Sequence, residues 1–178
     1  MAILKIARVG HPVLIMRASE VPYPFPPDMA RLVSDMLETM HDAGGVGLAA
    51  PQVHVPLRLF VFRVPADRGG DDPDDRPIED AVLINPVVVP VGDVVVEGWE
   101  GCLSIPDMRA RVPRAHRIRY SGMDLSGAAI DTTVSGFHAR VVQHEYDHLD
   151  GVLYPMRIRD FRSFGFNDEL ARAGALRT

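Results

Sequence analysis

His144-Glu145-Tyr146-Asp147-His148 is the stretch from which the rest of the chain can be read. Its two imidazoles stand four positions apart, and on a helix positions i and i+4 share one face. Both rings can then reach a single divalent cation, with Glu145 close enough to exchange protons with a bound water. Ser135 predicts the N-cap of that helix and Gly151 the residue beyond its end. The apolar stripe Phe137, Val141 continues by helical steps into His144, Glu145 and His148. The polar trio therefore extends the buried face. Burying three ionisable groups costs several kcal/mol unless something compensates, and a cation does so directly.

The chain has 178 residues, enough for one domain with a real core, and we expect a single catalytic domain over 1–178. Hydrophobic content of 47% and charged content of 24% place it among ordinary soluble globular chains. A net charge of −5 gives no footprint for nucleic-acid binding, and none is expected. No apolar run approaches a membrane span. Residues 1–9 read as a first strand and not as a targeting peptide. The single cysteine, Cys102, rules out an internal disulfide.

Met29, Leu32, Val33, Met36, Leu37 and Met40 repeat at helical spacing and predict a helix from Asp28 to about Ala43, capped by Asp28 and ended by Gly44-Gly45. A strand is expected at 57–63. Residues 65–80 carry seven acids and two arginines and read as a solvated, mobile acidic surface loop. Strands follow at 81–90, 93–97, 108–112, 116–124 and 128–134. The 167–176 tail is weakly helical. Strands before the motif helix predict an α+β fold, antiparallel sheets packed around the central helix.

A catalytic cation usually keeps three protein ligands and one exchangeable position. Downstream candidates for the third are Asp160, Asp168 and Glu169. Upstream, Glu100-Gly101-Cys102-Leu103-Ser104 presents the lone thiol, and thiolate binds zinc or ferrous iron strongly. Asp147 reads as a structural partner, while His41, His54, His116 and His138 lack ligand spacing.

Three blocks stand in order: Gly45-Val46-Gly47-Leu48-Ala49-Ala50-Pro51-Gln52, Glu100-Gly101-Cys102-Leu103-Ser104, and Gln143-His144-Glu145-Tyr146-Asp147-His148-Leu149-Asp150-Gly151. Together they resemble peptide deformylase. The resemblance implies hydrolysis of the formyl group from the formyl-methionine terminus of newly made polypeptides. It implies a bacterial or organellar setting, for which we expect the bacterial cytoplasm, and one divalent ion. Ferrous iron is the expected ion, with zinc, nickel and cobalt as alternatives.

By matching position the resemblance gives Cys102, His144 and His148 as metal ligands and Glu145 as general acid and base. Gln52 and the backbone N–H of Leu103 become oxyanion donors. Gly45, Val46 and Gly47 resemble the segment that pairs with the substrate backbone, and Val46, Glu100, Phe137 and Val141 surround the methionine pocket. Arg109 matches an arginine near the substrate. Retention of Glu145 and Gln52 disfavours a domain that merely holds a metal, since neither is needed for that. Gly98, Trp99 and Arg140 depart from the common pattern: Gly98 removes a pocket wall, which Trp99 either replaces or leaves by lying at the surface. A transient ribosome contact is left open, because the tail lacks a long basic helix.

Overall fold

The structure is a computed structural model, and it describes residues 2–70 and 72–176. In chain order the elements are α1 (Met29–Asp42), β1 (Gly47–Ala49), β2 (Leu59–Val64), β3 (Ile78–Pro90), β4 (Val95–Cys102), β5 (Ile105–Ala115), β6 (Arg117–Met123), β7 (Ala129–Ser135), α2 (Gly136–Leu149), β8 (Gly165–Phe166) and α3 (Asn167–Arg172). One antiparallel sheet has the order β1-β2-β3-β6-β7, and a second has the order β4-β5-β8. The fold is α+β, as the element order predicted.

β2 explains how the layers stack. Successive side chains of a strand point to opposite faces. Phe60 and Phe62 pack with Ala139, Val141, Val142 and Leu149 of α2, whereas Leu59 and Val61 pack with Val33, Met36 and Met40 of α1. The strand is thus covered on both sides. Helix α2 lies between that core and the second sheet, whose own cluster includes Ile105, Ala110, Val112, Leu153 and Tyr154.

Several local expectations fail for physical reasons. The expected first strand is absent from the described residues: residues 2–8 join no strand ladder and a turn begins at Val9. Leu4 N donates to Thr39 Oγ1 at 2.9 Å and Ala7 N to Gln52 O at 2.7 Å, so the apolar run lies along α1 and the turn carrying Gln52. Met1 lies outside the described residues. Neither Asp28 nor Ser135 uses its side chain as a cap.

Helix α2 is capped from a distance. Asp75, in the acid-rich segment, accepts hydrogen bonds from Phe137 N and His138 N, both at 3.0 Å. A carboxylate in that position stabilises a helix by about 1 kcal/mol, through the amides and the positive end of the dipole. A Cβ on Gly136 would come within 2.1 Å of Asp75 Oδ2, and Gly136 has φ +56°, so this turn requires glycine. The 65–80 segment is therefore not simply solvated: Asp75 is buried and Ile78 begins β3. Position 71 lies outside the described residues.

His138 beside this cap is buried between Tyr120 Oη (3.3 Å) and Arg76 O (3.1 Å). Burial holds its pKa below the ordinary 6.5. The folded state thus binds this proton less readily than the unfolded chain. The stabilisation is complete above about pH 6.5 and falls as pH drops toward the lower folded value. We expect the urea midpoint of wild type to fall more between pH 7 and pH 5 than that of His138→Gln. Parallel pH curves for the two proteins would refute this.

Candidate active site

The turn Leu103-Ser104 joins β4 to β5 and leaves Cys102 at the end of β4, facing α2. Cys102 Sγ lies 3.3 Å from His148 Nε2, and a ligand atom from each of Cys102, His144 and His148 falls within 4.8 Å of the others. A tetrahedral ion with bonds of about 2.0–2.3 Å needs ligand atoms separated by roughly 3.3–3.8 Å. Cys102 Sγ and His148 Nε2 stand at that separation, and one sulfur with two imidazole nitrogens is a donor set that suits a divalent cation. Burial also holds His148 well below the usual imidazole range, while for His144 burial is outweighed by the hydrogen bonds with Cys102 and Glu100, which hold it well above that range. The downstream acids are engaged elsewhere, Asp160 by Arg162 and both Asp168 and Glu169 by Arg172.

Of the two rings, His144 is itself held, whereas the buried Nδ1 of His148 has no hydrogen-bond partner. His144 Nδ1 meets Glu100 Oε2 at 2.9 Å, which turns Nε2 toward Cys102, and its ring stacks on Tyr154. Glu100 is gripped through both oxygens by Arg114 at 2.9 Å and by Arg140 at 2.9 Å. Burial acts to raise the Glu100 pKa. The hydrogen bonds from Arg114 and then His144 outweigh it and hold the carboxyl well below the usual range. Arg114 also reaches Asp147 at 2.5 Å, and Arg157 grips Asp147 through both oxygens. Asp147 is a structural partner, as its spacing predicted.

Glu145 is 4% exposed, and its Oε2 has no partner. Burial pushes its carboxyl up to about 7. A group that exchanges protons near neutral pH works best with such a value. The carboxylate lies against Gly47, where a Cβ would sit 2.2 Å from Glu145 Oε1. Only glycine leaves room for it.

Gln52 sits in a short turn after β1 and is 1% exposed. Its Oε1 accepts from Ala49 N at 2.8 Å, which fixes which end of the amide is which. Nε2 then faces Ser104 Oγ at 3.1 Å and Cys102 Sγ at 3.5 Å.

A single cleft of about 550 Å³ gathers these groups. Gly45, Val46 and Gly47 line one side, Gly101, Leu103 and Arg109 the other. Phe137, Val141, His144 and Glu145 form the helix side, with Gln52, Glu100 and Cys102 beside them. His148 lies behind the cleft wall, almost fully buried. Gly47 belongs to β1 and Gly101 to β4, each an edge strand of its sheet.

Sequence reasoning singles out Arg140 as a departure from the common pattern, but it misses Arg68, Arg114 and Ser104. Arg140 fills the space beside Gly98, where a Cβ would lie 2.8 Å from its Cζ, and donates to Val96 O (2.7 Å) and Val112 O (2.9 Å). The space beside Gly98 is thus filled by a guanidinium, while Trp99 lines the cleft further along β4. Arg68, from the acid-rich segment, lies 4.7 Å over the Phe137 ring at the cleft edge. Arg114 had only its strand position to announce it, and Ser104 only its place in the cysteine block.

A half-buried sulfur and two imidazoles around one point, with a carboxylate of raised pKa alongside, define a metal-dependent hydrolase site. The sequence profile of polypeptide deformylase matches residues 3–163. Peptide deformylase 1 of Nitrosomonas europaea is 50% identical over 165 residues, covering 93% of each chain. Peptide deformylase 2 of Ralstonia nicotianae is 48% identical, covering 93% of this chain and 92% of its own. The Met-Ala-Ser-bound class I type b peptide deformylase from Acinetobacter baumannii superposes with a TM-score of 0.78 at 34% identity. That match covers 88% of this chain and 99% of the other. The chain belongs to the polypeptide deformylase family, metal-dependent hydrolases that remove the N-formyl group from nascent polypeptides.

Proposed function

We propose that Cys102, His144 and His148 hold one ferrous ion and that Glu145, Gln52 and the Leu103 backbone N–H carry out formyl hydrolysis around it. The observation that carries this reading is the orientation of Gln52, whose Nε2 is turned by Ala49 N toward Cys102. When bound, the ion supplies Lewis acidity, bringing the pKa of a coordinated water toward neutrality. Glu145 receives the proton of the attacking water at its unpartnered Oε2 and delivers it to the departing α-amine. Gln52 Nε2 and Leu103 N–H donate to the formyl oxygen as negative charge builds there, each worth about 3–4 kcal/mol. Glu100, fixed by Arg114 and Arg140, keeps His144 in the productive orientation.

The substrate is a formyl-methionyl nascent peptide. The Acinetobacter relative was solved with Met-Ala-Ser, and we place a methionine-first peptide in the corresponding cleft. Gly45 to Gly47 offer an edge to which an extended peptide adds as a strand, which accepts varied sequences after the first residue. Val46, Phe137 and Val141 surround the methionine side chain, with Glu100 behind them, and Arg109 meets the chain further on. The ribosome contact gains no support from α3, six residues long with Arg172 engaged by Asp168 and Glu169. No helix of the described residues is long and apolar enough to cross a membrane. The bacterial cytoplasm is the setting we propose.

One experiment tests activity and ion together. Protein purified without oxygen is subjected to elemental analysis and assayed on formyl-Met-Ala-Ser and acetyl-Met-Ala-Ser, before and after exposure to air. The expected result is iron near one per chain, turnover of the formyl peptide alone, and loss of activity in air. Comparable cleavage of the acetyl peptide would overturn the substrate reading. Zinc in place of iron, with activity stable in air, would overturn the ion assignment.

A further inference from the structure

On β4 and β5 the side chains alternate between faces. Glu100 turns inward to His144, so its neighbour Trp99 turns outward together with Glu97. The register sets Trp99 opposite Arg111 and Gly101 opposite Arg109, and directly opposed residues share a face. Gly101 bears no side chain, and Arg109 Cγ lies 3.4 Å from where its Cβ would stand. The outer face of this hairpin is thus a track from Gly101 and Arg109 to Trp99 and Arg111.

That track joins two cavities. Trp99 lines the reaction cleft together with Gly101 and Arg109. It also lines a second cavity of about 510 Å³, whose other walls include Glu97, Arg111, Arg162 and Leu170. Apart from Trp99, none of the residues lining the second cavity lines the cleft.

The charges of the second cavity offset one another. Arg162 holds Asp160 at 2.7 Å, and Arg111 lies 3.8 Å from Glu97. The remaining lining is the Trp99 indole, Leu170, Ala175 and the small hydroxyl of Ser163. Such a surface suits a peptide main chain with uncharged side chains better than a charged ligand.

We propose that this second cavity is a distal subsite of the same reaction, receiving polypeptide residues beyond those held in the cleft, with Trp99 as the shared wall. The proposal rests on the catalytic reading above, because only a substrate longer than the cleft needs an onward path. Along β4, Trp99 lies three residues from Cys102 and Glu97 five. At about 3.3 Å per residue these are roughly 10 and 17 Å, the reach of about the fourth to sixth residues of an extended substrate.

The test compares formyl-Met-Ala-Ser with a seven-residue peptide that extends it by Leu, Ala, Val and Gly. In wild type, kcat/KM for the longer peptide is expected to exceed that of the tripeptide about three- to tenfold, mainly through KM. The exposed Ala175 also lines the second cavity. Ala175→Trp fills the cavity from there, and Trp99→Ala removes the shared wall. Both are expected to bring the length ratio close to one, with the tripeptide as internal reference for each protein. A wild-type ratio near one, or a ratio retained in both variants, would overturn the distal subsite. Failure of wild type to turn over the tripeptide would instead count against the catalytic reading.

Discussion

Glu145→Gln lowers kcat on a formyl-methionyl peptide by about a hundred- to ten-thousand-fold while metal content stays at the wild-type level. The side chain is nearly isosteric, so the tight contact with Gly47 is kept. Glu145 is not among the three groups that converge on the metal position, so binding of the ion has no reason to change. What disappears is a carboxyl able to accept a proton, whose pKa burial has pushed up to about 7. An amide in the same place can neither take the water's proton nor pass one to the leaving amine. Elemental analysis and steady-state kinetics on one preparation decide it. Turnover within a few-fold of wild type, with metal retained, would refute the proton-transfer role.

The second large effect is on stability. Arg114 is buried between two carboxylates, Glu100 at 2.9 Å and Asp147 at 2.5 Å. Arg114→Met keeps the stem and removes the charge, leaving both acids in a water-poor site. Breaking a buried ion pair from one side costs about 3–5 kcal/mol, because the remaining charge is uncompensated. Arg140 still meets Glu100 and Arg157 still meets Asp147, which places the expectation near the lower end, about 3 kcal/mol. Arg119, paired with Asp131 on the surface, is the control: Arg119→Met should leave the denaturation midpoint close to that of wild type. Chemical denaturation measures both. A loss below about 1 kcal/mol for Arg114→Met would show that the network is not the support described.

What could be read from the chain follows from the range of the interactions involved. The motif helix was legible because helical spacing is a local property: His144, Glu145 and His148 declare their shared face within five residues. The long amphipathic helix α1 was legible for the same reason, and it spans Met29–Asp42. Cys102 was harder. Its residue type alone left ligand and core cysteine about equally plausible. Only the three blocks taken together pointed to the hairpin turn that sets the sulfur against α2.

The cap of α2 was misread because a distant carboxylate replaced the local one. Asp75 is about sixty positions from the amides it binds, in a segment whose composition reads as loop. Residues 3–9 were misread as a strand because an apolar run does not reveal its partner. Here the partners are side chains of α1 and the turn at Gln52. Arg114 and Arg140 were not legible as supports because each acts across elements brought together only by folding.

The three groups that converge on the metal position belong to two different parts of the molecule. Cys102 comes from the small sheet, whereas both imidazoles come from the helix that fills the larger core. An ion held by all three, as proposed above, would be a staple across the seam, and the free energy of binding it would add to that of keeping the two parts docked. Affinity for the metal therefore reports on assembly as well as on ligand chemistry. A substitution far from the reaction centre that loosens the docking will look, in a titration, like a damaged ligand.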